Sequence, residues 1–224
     1  MAWKDGGAAP SPFALPPNAR PGLGQVVRLA DGTLVVSQFG HGESGAVILV
    51  PAEGQPRAIS GVDPRRRRLG LAPAAPGAVY SAWFTKDGEA QAGGLSVVAV
   101  AGGERDVKLA GLERPIGLAV SGDFLYVSDQ SAGAILRCPA KSCTKLEPVA
   151  KLTSPDLLAP APGGAVLAGS KAGGVALVCP DGRIQTVIST GGPTRGVAYD
   201  PSGRLFFVEK GVLRSVGVQV GCKK

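Results

Sequence analysis

The fold is decided by residues 114–137, which read RPIGLAVSGDFLYVSDQSAGAILR. Three apolar runs follow one another in this stretch, separated by turn-forming segments at residues 121–123 and 130–133. Short runs rich in branched and aromatic residues, bounded by Gly, Ser and Asp, are typical of β-strands. The pattern predicts three antiparallel strands in succession, and a fourth is expected near residues 147–152.

The same succession of strands recurs on both sides of this stretch. It is clear at residues 154–188 and 193–215, and looser at residues 21–60 and 64–109. A four-stranded propeller blade takes about 40 to 50 residues, which matches the spacing of the repeat. We therefore predict an all-β fold, a single small β-propeller of five four-stranded blades. A six-bladed ring with one degenerate blade and a two-sheet sandwich are the alternatives. The prolines that open the units are Pro21, Pro64, Pro115, Pro155 and Pro193.

The domain boundaries follow from the repeat. Residues 1–20, rich in Pro and Ala, are expected to form an extended N-terminal arm, and residues 21–220 the propeller domain. The last unit is one strand short. We expect a terminal strand, from residues 13–15 or from residues 216–220, to complete it and to close the ring.

The composition agrees with many short strands joined by tight turns. The 224 residues include 34 Gly and 19 Pro, and 44% of the chain is hydrophobic. No long stretch free of Gly and Pro carries a helical apolar period, which excludes long helices. No run approaches the ~20 consecutive apolar residues of a membrane-spanning helix. Residues 1–7 lack the apolar core of a signal peptide.

The four cysteines bear on the compartment. Cys138 and Cys143 bracket the segment CPAKSC, which predicts a disulfide-stapled turn between two strands. Cys179 and Cys222 lie far apart in sequence, although neighbouring repeats can bring them together. An even count with one local pair favours an oxidising compartment. We therefore expect a periplasmic or secreted protein whose leader has been removed, with four unrelated thiols as the alternative.

The best-patterned unit resembles a blade of the NHL-repeat propellers, and of the wider group that includes gluconolactonase-like and strictosidine-synthase-like propellers. The resemblance lies in PIGLAV at residues 115–120 followed by LYVSD at residues 125–129. It is good over this blade, fair over the last two and weak over the first two. NHL blades usually carry an Asn three positions after the Asp and an Arg two further on, where this chain has Ala132 and Ala134.

A propeller also implies where function lies. Loops that enter the innermost strands, and loops that join the second and third strands, gather on one face around the channel, and function commonly lies on such loops. Charges expected on the incoming loops are Arg66, Arg114, Asp156 and Arg195. Such a set of charges can bind a polar or anionic ligand, and ordinary loop charge without a ligand is the alternative. The second strands are expected to end at Gln38, Phe84, Asp129, Ser170 and Glu209. The predicted ligand-binding residues are these five together with His41, Arg114 and Arg195.

Catalytic residues are scarce. The gluconolactonase-like group holds a divalent metal with a Glu, an Asp and two Asn, whereas this chain has one asparagine, Asn18. Asp129 and Glu209 are the candidates for a weaker calcium site completed by backbone carbonyls and water. The one histidine, His41, shares a loop with Glu43 and Ser44, and such neighbours rarely meet triad geometry. We therefore predict no catalytic residues.

The formal net charge of +7 includes a run of four arginines. Such a run attracts polyanions such as heparin or nucleic acid. A solvated loop is the favoured interpretation, because nucleic-acid binders interleave aromatic residues with the basic ones, and polyanion binding is the alternative. The run comprises Arg65, Arg66, Arg67 and Arg68.

Together these observations predict a non-catalytic propeller that binds a protein, peptide or glycan through its loop face. The alternative is a metal-dependent hydrolase of the lactonase-like propeller group. That alternative rests on fold analogy, because function belongs to the site and not to the fold.

Overall fold

Residues 22–87 and 90–222 are described by a computed structural model of the protein. They form a five-bladed β-propeller, which confirms the predicted fold and blade count. Four of the antiparallel sheets have four strands, and the fifth has three. Within each sheet the strand order follows the chain order. Tight turns join the neighbouring strands, as antiparallel pairs allow.

The strands of each blade succeed one another from the channel outward. Blade 1 comprises β1 (Leu23–Arg28), β2 (Leu34–Gln38), β3 (Ala46–Val50) and β4 (Arg57–Ala58). Blade 2 comprises β5 (Arg67–Pro73), β6 (Ala78–Asp87), β7 (Ala90–Ala99) and β8 (Glu104–Val107). Blade 3 comprises β9 (Pro115–Ser121), β10 (Phe124–Asp129), β11 (Ala134–Pro139) and β12 (Glu147–Lys151). Blade 4 comprises β13 (Pro155–Pro160), β14 (Val166–Ser170), β15 (Val175–Val178) and β16 (Ile184–Ile188). Blade 5 comprises β17 (Thr194–Tyr199), β18 (Arg204–Glu209) and β19 (Val212–Gly217).

Hydrophobic clusters fill four of the spaces between neighbouring blades, and among the described residues no such cluster joins blade 5 to blade 1. Val35 and Leu71 meet between blades 1 and 2, and Tyr126 and Leu158 meet between blades 3 and 4. Side chains alternate between the two faces of a strand, so each sheet sends apolar groups towards both of its neighbours. A single sheet of short strands cannot bury both faces alone, so the stacking of blades supplies the core.

Glycines let the innermost strands approach one another closely. A Cβ atom at Gly24 of β1 would collide with the Leu69 carbonyl oxygen of blade 2. A Cβ atom at Gly117 of β9 would lie 2.6 Å from the Asp156 carbonyl oxygen of blade 4. In each case the Cβ atom would lie closer to the carbonyl oxygen than Cβ atoms do in folded proteins, so glycine is required at these positions.

Gln25 of β1 ties the innermost strands together across the channel. Its side-chain Nε2 donates to the carbonyl oxygens of Leu118 (2.9 Å) and Leu158 (2.7 Å). Its Oε1 accepts from the backbone N–H groups of Leu118 (2.8 Å) and Leu71 (3.2 Å). The innermost strand of a blade has a free edge, and its peptide groups need partners. One amide therefore joins blade 1 to blades 2, 3 and 4.

Both cysteine pairs form disulfides. The predicted Cys138–Cys143 bridge is confirmed, with the Cα atoms 5.1 Å apart. Cys179, at the end of β15, is bonded to Cys222 in the C-terminal segment, with the Cα atoms 5.8 Å apart. This second bridge resolves the pairing that the sequence leaves open.

The C-terminal segment is packed against blades 4 and 5. Val216 lies in β19, and Val218 and Val220 pack against the hydrophobic cluster between the two blades. The Val218 N–H donates to the Gly203 carbonyl oxygen at 2.9 Å. The segment therefore adds contacts to blade 5 without adding a fourth strand to it. The other candidate for that strand, residues 13–15, lies outside the described residues. Throughout the described ranges, no helix is long and apolar enough to cross a membrane.

Replacing Gln25 by Ala is expected to destabilise the protein by about 2 to 4 kcal/mol. The substitution leaves two carbonyl and two N–H groups of the innermost strands without their partner, and each such loss costs roughly 1 kcal/mol. Urea denaturation followed by circular dichroism measures the change. Gln55→Ala, at an exposed position in the β3–β4 turn, is the matched control. Equal stability of the two variants would contradict the role given to Gln25.

The two disulfides should contribute unequally to stability. Loop-closure entropy predicts about 4 kcal/mol for Cys179–Cys222, which spans 43 residues, and about 2 kcal/mol for Cys138–Cys143, which spans 5. Double Cys→Ala variants of each pair, compared by denaturation, test this order. A larger loss on removing Cys138–Cys143 would show that loop closure is not the dominant effect.

Candidate functional site

A register shift recurs near the start of every innermost strand. In blades 1, 3, 4 and 5 the first residue of the innermost strand pairs with the last residue of the second strand, as Pro155 does with Ser170, and in blade 2 Arg67 pairs with Phe84. One or two bulged residues follow before regular pairing resumes. A β-bulge bends the strand and re-aims its side chains. In blades 4 and 5 the bulged residues include Asp156 and Arg195.

The bulged residues line a cavity of about 620 Å³ at one end of the channel. We call it the channel-mouth cavity. Its lining comes from all five blades, and it lies on the loop face, where the turns between second and third strands project. Leu69, Ile116 and Leu157 supply apolar surface. Its polar lining consists of His41, Arg114, Gln130, Asp156, Lys171 and Arg195.

Gln25 lies across the channel beneath this cavity. Its partners Leu71, Leu118 and Leu158 lie one or two residues further along the innermost strands than the lining residues. A ligand that enters from the loop face therefore approaches the Gln25 amide at the inner end of the cavity.

A hydrogen-bonded chain crosses from blade 3 to blade 4 in the wall of the cavity. Lys171 Nζ donates to Gln130 Oε1 at 2.8 Å, and Gln130 Nε2 donates to the Pro155 carbonyl oxygen at 3.3 Å. Gln130 Nε2 also lies 3.5 Å from Asp156 Oδ2. The amide of Gln130 thus fixes the ammonium and the carboxylate side by side.

Burial disfavours the charged forms of Asp156 and Lys171, the two ionisable side chains of this hydrogen-bonded network. Burial raises the pKa of Asp156 above its ordinary value, opposed by the Leu157 N–H and by the nearby Lys171 and Arg195. Burial also lowers the pKa of Lys171, and repulsion from Arg114 and Arg195 lowers it further. The four charged groups therefore lie close enough to influence one another.

Arg114 is held in the cavity wall by two of the predicted residues. Its guanidinium lies 5.0 Å above the ring of Phe84, and its backbone N–H donates to Asp129 Oδ1 at 3.1 Å. Asp129 is fully buried and also accepts from the N–H groups of Glu113, Ser131 and Ala132. Its carboxylate therefore staples the loop that enters blade 3 to the β10–β11 turn.

The other predicted residues have local roles. Gln38 Nε2 donates to the Ser44 carbonyl oxygen at 2.6 Å, and Ser170 Oγ donates to the Thr153 carbonyl oxygen at 2.7 Å. Glu209 pairs with Arg214 at 2.8 Å. These three side chains lie outside the lining of the channel-mouth cavity.

Three of the eight predicted ligand-binding residues meet in the cavity, namely His41, Arg114 and Arg195. The second strands end as predicted at Gln38, Asp129, Ser170 and Glu209. The prediction for blade 2 is wrong, because β6 continues past Phe84 to Asp87. Its hairpin with β7 is longer than in the other blades, although Phe84 keeps the equivalent register position opposite Arg67.

Sequence reasoning missed Gln130 and Lys171. Each directly follows the last residue of a second strand, Gln130 after Asp129 and Lys171 after Ser170. A signal was therefore present, one position beyond the strand ends. The residue after the end of a second strand begins the turn on the loop face, so it lies on the same face as the residues that were predicted.

The predicted calcium site lacks a clustered ligand set. Both carboxylate oxygens of Asp129 accept backbone N–H groups, and Glu209 is paired with an arginine. Across residues 22–87 and 90–222, no three His, Cys, Asp or Glu side chains lie together as a metal-binding group. Calcium binding by Asp129 and Glu209 stays a prediction.

The arginine run lies on blade 2, and much of its charge is matched within the chain. Three of the four guanidinium groups form ion pairs with three carboxylates there. Arg68 is fully buried, and the guanidinium of Arg66 lies 3.9 Å above the ring of Trp83. Polyanion binding by the run stays a prediction, with less free charge than the sequence suggests. The ion pairs are Arg65 with Asp63, Arg66 with Glu104 and Asp106, and Arg68 with Glu104.

No protein-family model matches the chain, and no curated protein matches its sequence. Solved structures do match. A gluconolactonase from Xanthomonas campestris aligns with a TM-score of 0.71 and 22% identity, over 87% of this chain and 71% of that chain. The chain has the fold of the gluconolactonase-like propellers. The fold-level resemblance carried by residues 115–129 is thus confirmed, while the narrower NHL-repeat assignment stays a prediction.

Two further structures share the fold and differ in their reported roles. The calcium-binding protein regucalcin from Agrobacterium tumefaciens aligns with a TM-score of 0.65 and 20% identity, over 82% of this chain and 66% of that chain. A chain of the nidogen/laminin complex aligns with a TM-score of 0.68 and 13% identity, over 88% of this chain and 75% of that chain. At these identities the likeness concerns the fold alone.

Replacing Asp156 by Asn should stabilise the protein at neutral pH, with the gain disappearing in acid. Because the folded-state pKa of Asp156 is raised, the wild-type protein loses stability as pH rises through that pKa. The variant has no such loss. Thermal midpoints measured between pH 3.5 and 7 follow the difference. If the difference in thermal midpoint between variant and wild type were independent of pH, or grew towards acid, the raised pKa of Asp156 would be contradicted.

Proposed function

We propose that the protein is a non-catalytic binding module that recognises a protein or peptide partner through its loop face. The observation that carries this proposal is the channel-mouth cavity, with charged side chains from blades 3, 4 and 5 around an apolar lining. A volume of about 620 Å³ lies within the range of about 300 to 1,000 Å³ usual for ligand sites. A rigid ring that presents short loops around a concave surface suits recognition of a projecting segment of a partner.

The charged lining favours a peptide over a neutral glycan. Arg114, Lys171 and Arg195 outnumber the one carboxylate, Asp156, and the aromatic surface is limited to Phe39 and His41. The nidogen/laminin complex supports the proposal by analogy, because its matching chain takes part in an assembly between proteins. Glycan binding stays a prediction.

The two disulfides support a location outside the cytoplasm, in the periplasm or in secreted form. Disulfides persist in oxidising compartments and are rare in the cytosol. Alkylation of the protein as isolated from its source, followed by mass spectrometry, tests this location. We expect no alkylated cysteine before reduction and four after it.

The competing function is a metal-dependent hydrolase, favoured by the fold shared with gluconolactonases. It requires turnover and a bound divalent ion. We expect no hydrolysis of gluconolactone or phenyl esters in excess calcium, and no rise of the thermal midpoint in calcium relative to chelator. A ligand at ~100 times its dissociation constant would add ~2.7 kcal/mol and would be seen easily. Turnover that is lost in Asp129→Asn or Glu209→Gln would overturn the binding proposal.

Selection of displayed peptides tests loop-face recognition directly. Peptides selected on the wild-type protein should bind the Arg183→Glu variant as well and should lose at least tenfold in affinity for Arg195→Glu, since one unit of cavity charge is reversed. Arg183 lies in the β15–β16 turn on the opposite face, where it pairs with Asp181. Equal binding to both variants would place recognition away from the loop face.

A further inference from the structure

The channel-mouth cavity carries an excess of positive charge that the described residues do not neutralise. Arg114, Lys171 and Arg195 come from three successive blades, and Asp156 is the one acidic residue among the lining residues. Repulsion from the two arginines contributes to the depressed pKa of Lys171, so the three cations act on one another. Holding like charges together in a partly buried space is unfavourable, and a bound anion relieves it.

Among the described residues, the arginine side chains of the cavity have no acidic ion-pair partner. The described salt bridges of arginine involve Arg65, Arg66, Arg68, Arg183 and Arg214, and within residues 22–87 and 90–222 none is found for Arg114 or Arg195. Arg114 Nε is also buried without a hydrogen-bond acceptor. Buried donors of this kind are uncommon in folded proteins. A planar carboxylate is the group that a guanidinium best accommodates, by two parallel hydrogen bonds.

The remaining lining indicates what the anion is attached to. Leu69, Ile116 and Leu157 offer apolar surface beside the cations. A small inorganic anion would leave this surface and most of the cavity in water. Asp156, whose carboxylate lies 3.5 Å from Gln130 Nε2, is the one carboxylate of the lining, so the net charge of the lining attracts an anion.

We propose that the channel-mouth cavity binds an organic carboxylate, with its charged end between Arg114, Lys171 and Arg195 and its apolar stem on Leu69, Ile116 and Leu157. This inference rests on the proposed loop-face recognition and specifies the chemistry that the face selects. Two sources present this chemistry. One is the C-terminal carboxylate of a peptide that ends in an apolar residue, and the other is a free organic acid.

Isothermal titration calorimetry with hexanoate, hexanamide and inorganic phosphate tests the chemistry. Hexanoate should bind, and at least tenfold more tightly than either other probe. Arg114→Gln, Lys171→Gln and Arg195→Gln should each weaken hexanoate at least tenfold, because each removes a charge-assisted hydrogen bond. Arg183→Gln, on the opposite face, should bind as the wild type does. Thermal midpoints of all variants establish that they are folded.

Three results would overturn the carboxylate assignment. They are the absence of hexanoate binding, equal binding of hexanoate and hexanamide, and tighter binding of phosphate. Undiminished binding by all three folded cavity variants would also overturn it, since the carboxylate would then lie elsewhere. Arg195→Lys, which keeps the charge, should retain more affinity than Arg195→Gln.

A second pair of probes separates the two sources and keeps this inference distinct from the proposed function. The peptide acetyl-Gly-Ser-Val-Leu is compared with the same peptide bearing a C-terminal amide. Binding of the acid form alone supports a peptide C-terminus, whereas binding of hexanoate alone supports a free acid and contradicts the protein or peptide partner. Selected peptides that bind through Arg195 irrespective of a free carboxylate would leave the proposed function standing and would refute this inference.

Discussion

The side chain of Gln25 is the interaction on which the centre of the molecule depends. The innermost strand of a propeller blade has one edge without a neighbouring strand, and its peptide groups must find other partners. One amide, with two donor hydrogens and an acceptor oxygen, serves blades 2, 3 and 4 at once. Each hydrophobic cluster joins only two neighbouring blades, whereas Gln25 joins the innermost strands of four blades. It also lies across the channel at the inner end of the loop-face cavity.

The chemistry of the site follows from this arrangement and from the bulges. Each innermost strand enters the channel through a register shift, which presents one or two residues to the mouth. In blade 1 the bulged residues are Gly24 and Gln25, in blades 2 and 3 they are apolar or glycine, and in blades 4 and 5 they include Asp156 and Arg195. Turns from the second strands add Lys171 and Gln130. The charge therefore concentrates on one side of the mouth, where a carboxylate can meet three cations while its stem rests on leucine and isoleucine. The solved gluconolactonase shares the frame, while a clustered set of metal ligands is not found among the described residues of this chain.

Local sequence patterns predicted the five-bladed fold and one of the two disulfides. Strand alternation and turn spacing gave the five blades, and the short interval between Cys138 and Cys143 gave one disulfide, because these features depend on residues close in sequence. The same spacing placed Arg114 and Arg195 at the mouth of the channel. The boundaries of the arm and the propeller domain, at residues 20 and 21, stay predictions, because the description of the chain begins at residue 22.

Contacts between distant parts of the chain were beyond reach. Gln25 meets Leu158 at a separation of 133 residues, and Arg66 meets Asp106 at a separation of 40. Nothing in the neighbourhood of either residue indicates such a partner. Asp129 illustrates the same limit, since a carboxylate at a strand end reads equally as a metal ligand or as an acceptor for backbone N–H groups. Its complete burial decides how it is used here.

The most direct test of the account is chemical-shift mapping of the protein, labelled with nitrogen-15, during titration with hexanoate. The account predicts saturable shifts at the backbone amides of Leu157, Arg195 and Gly196, with the β3–β4 and β15–β16 turns unchanged. Shifts confined to the exposed strand β19, or no saturable shifts at all, would contradict a ligand site at the mouth of the channel.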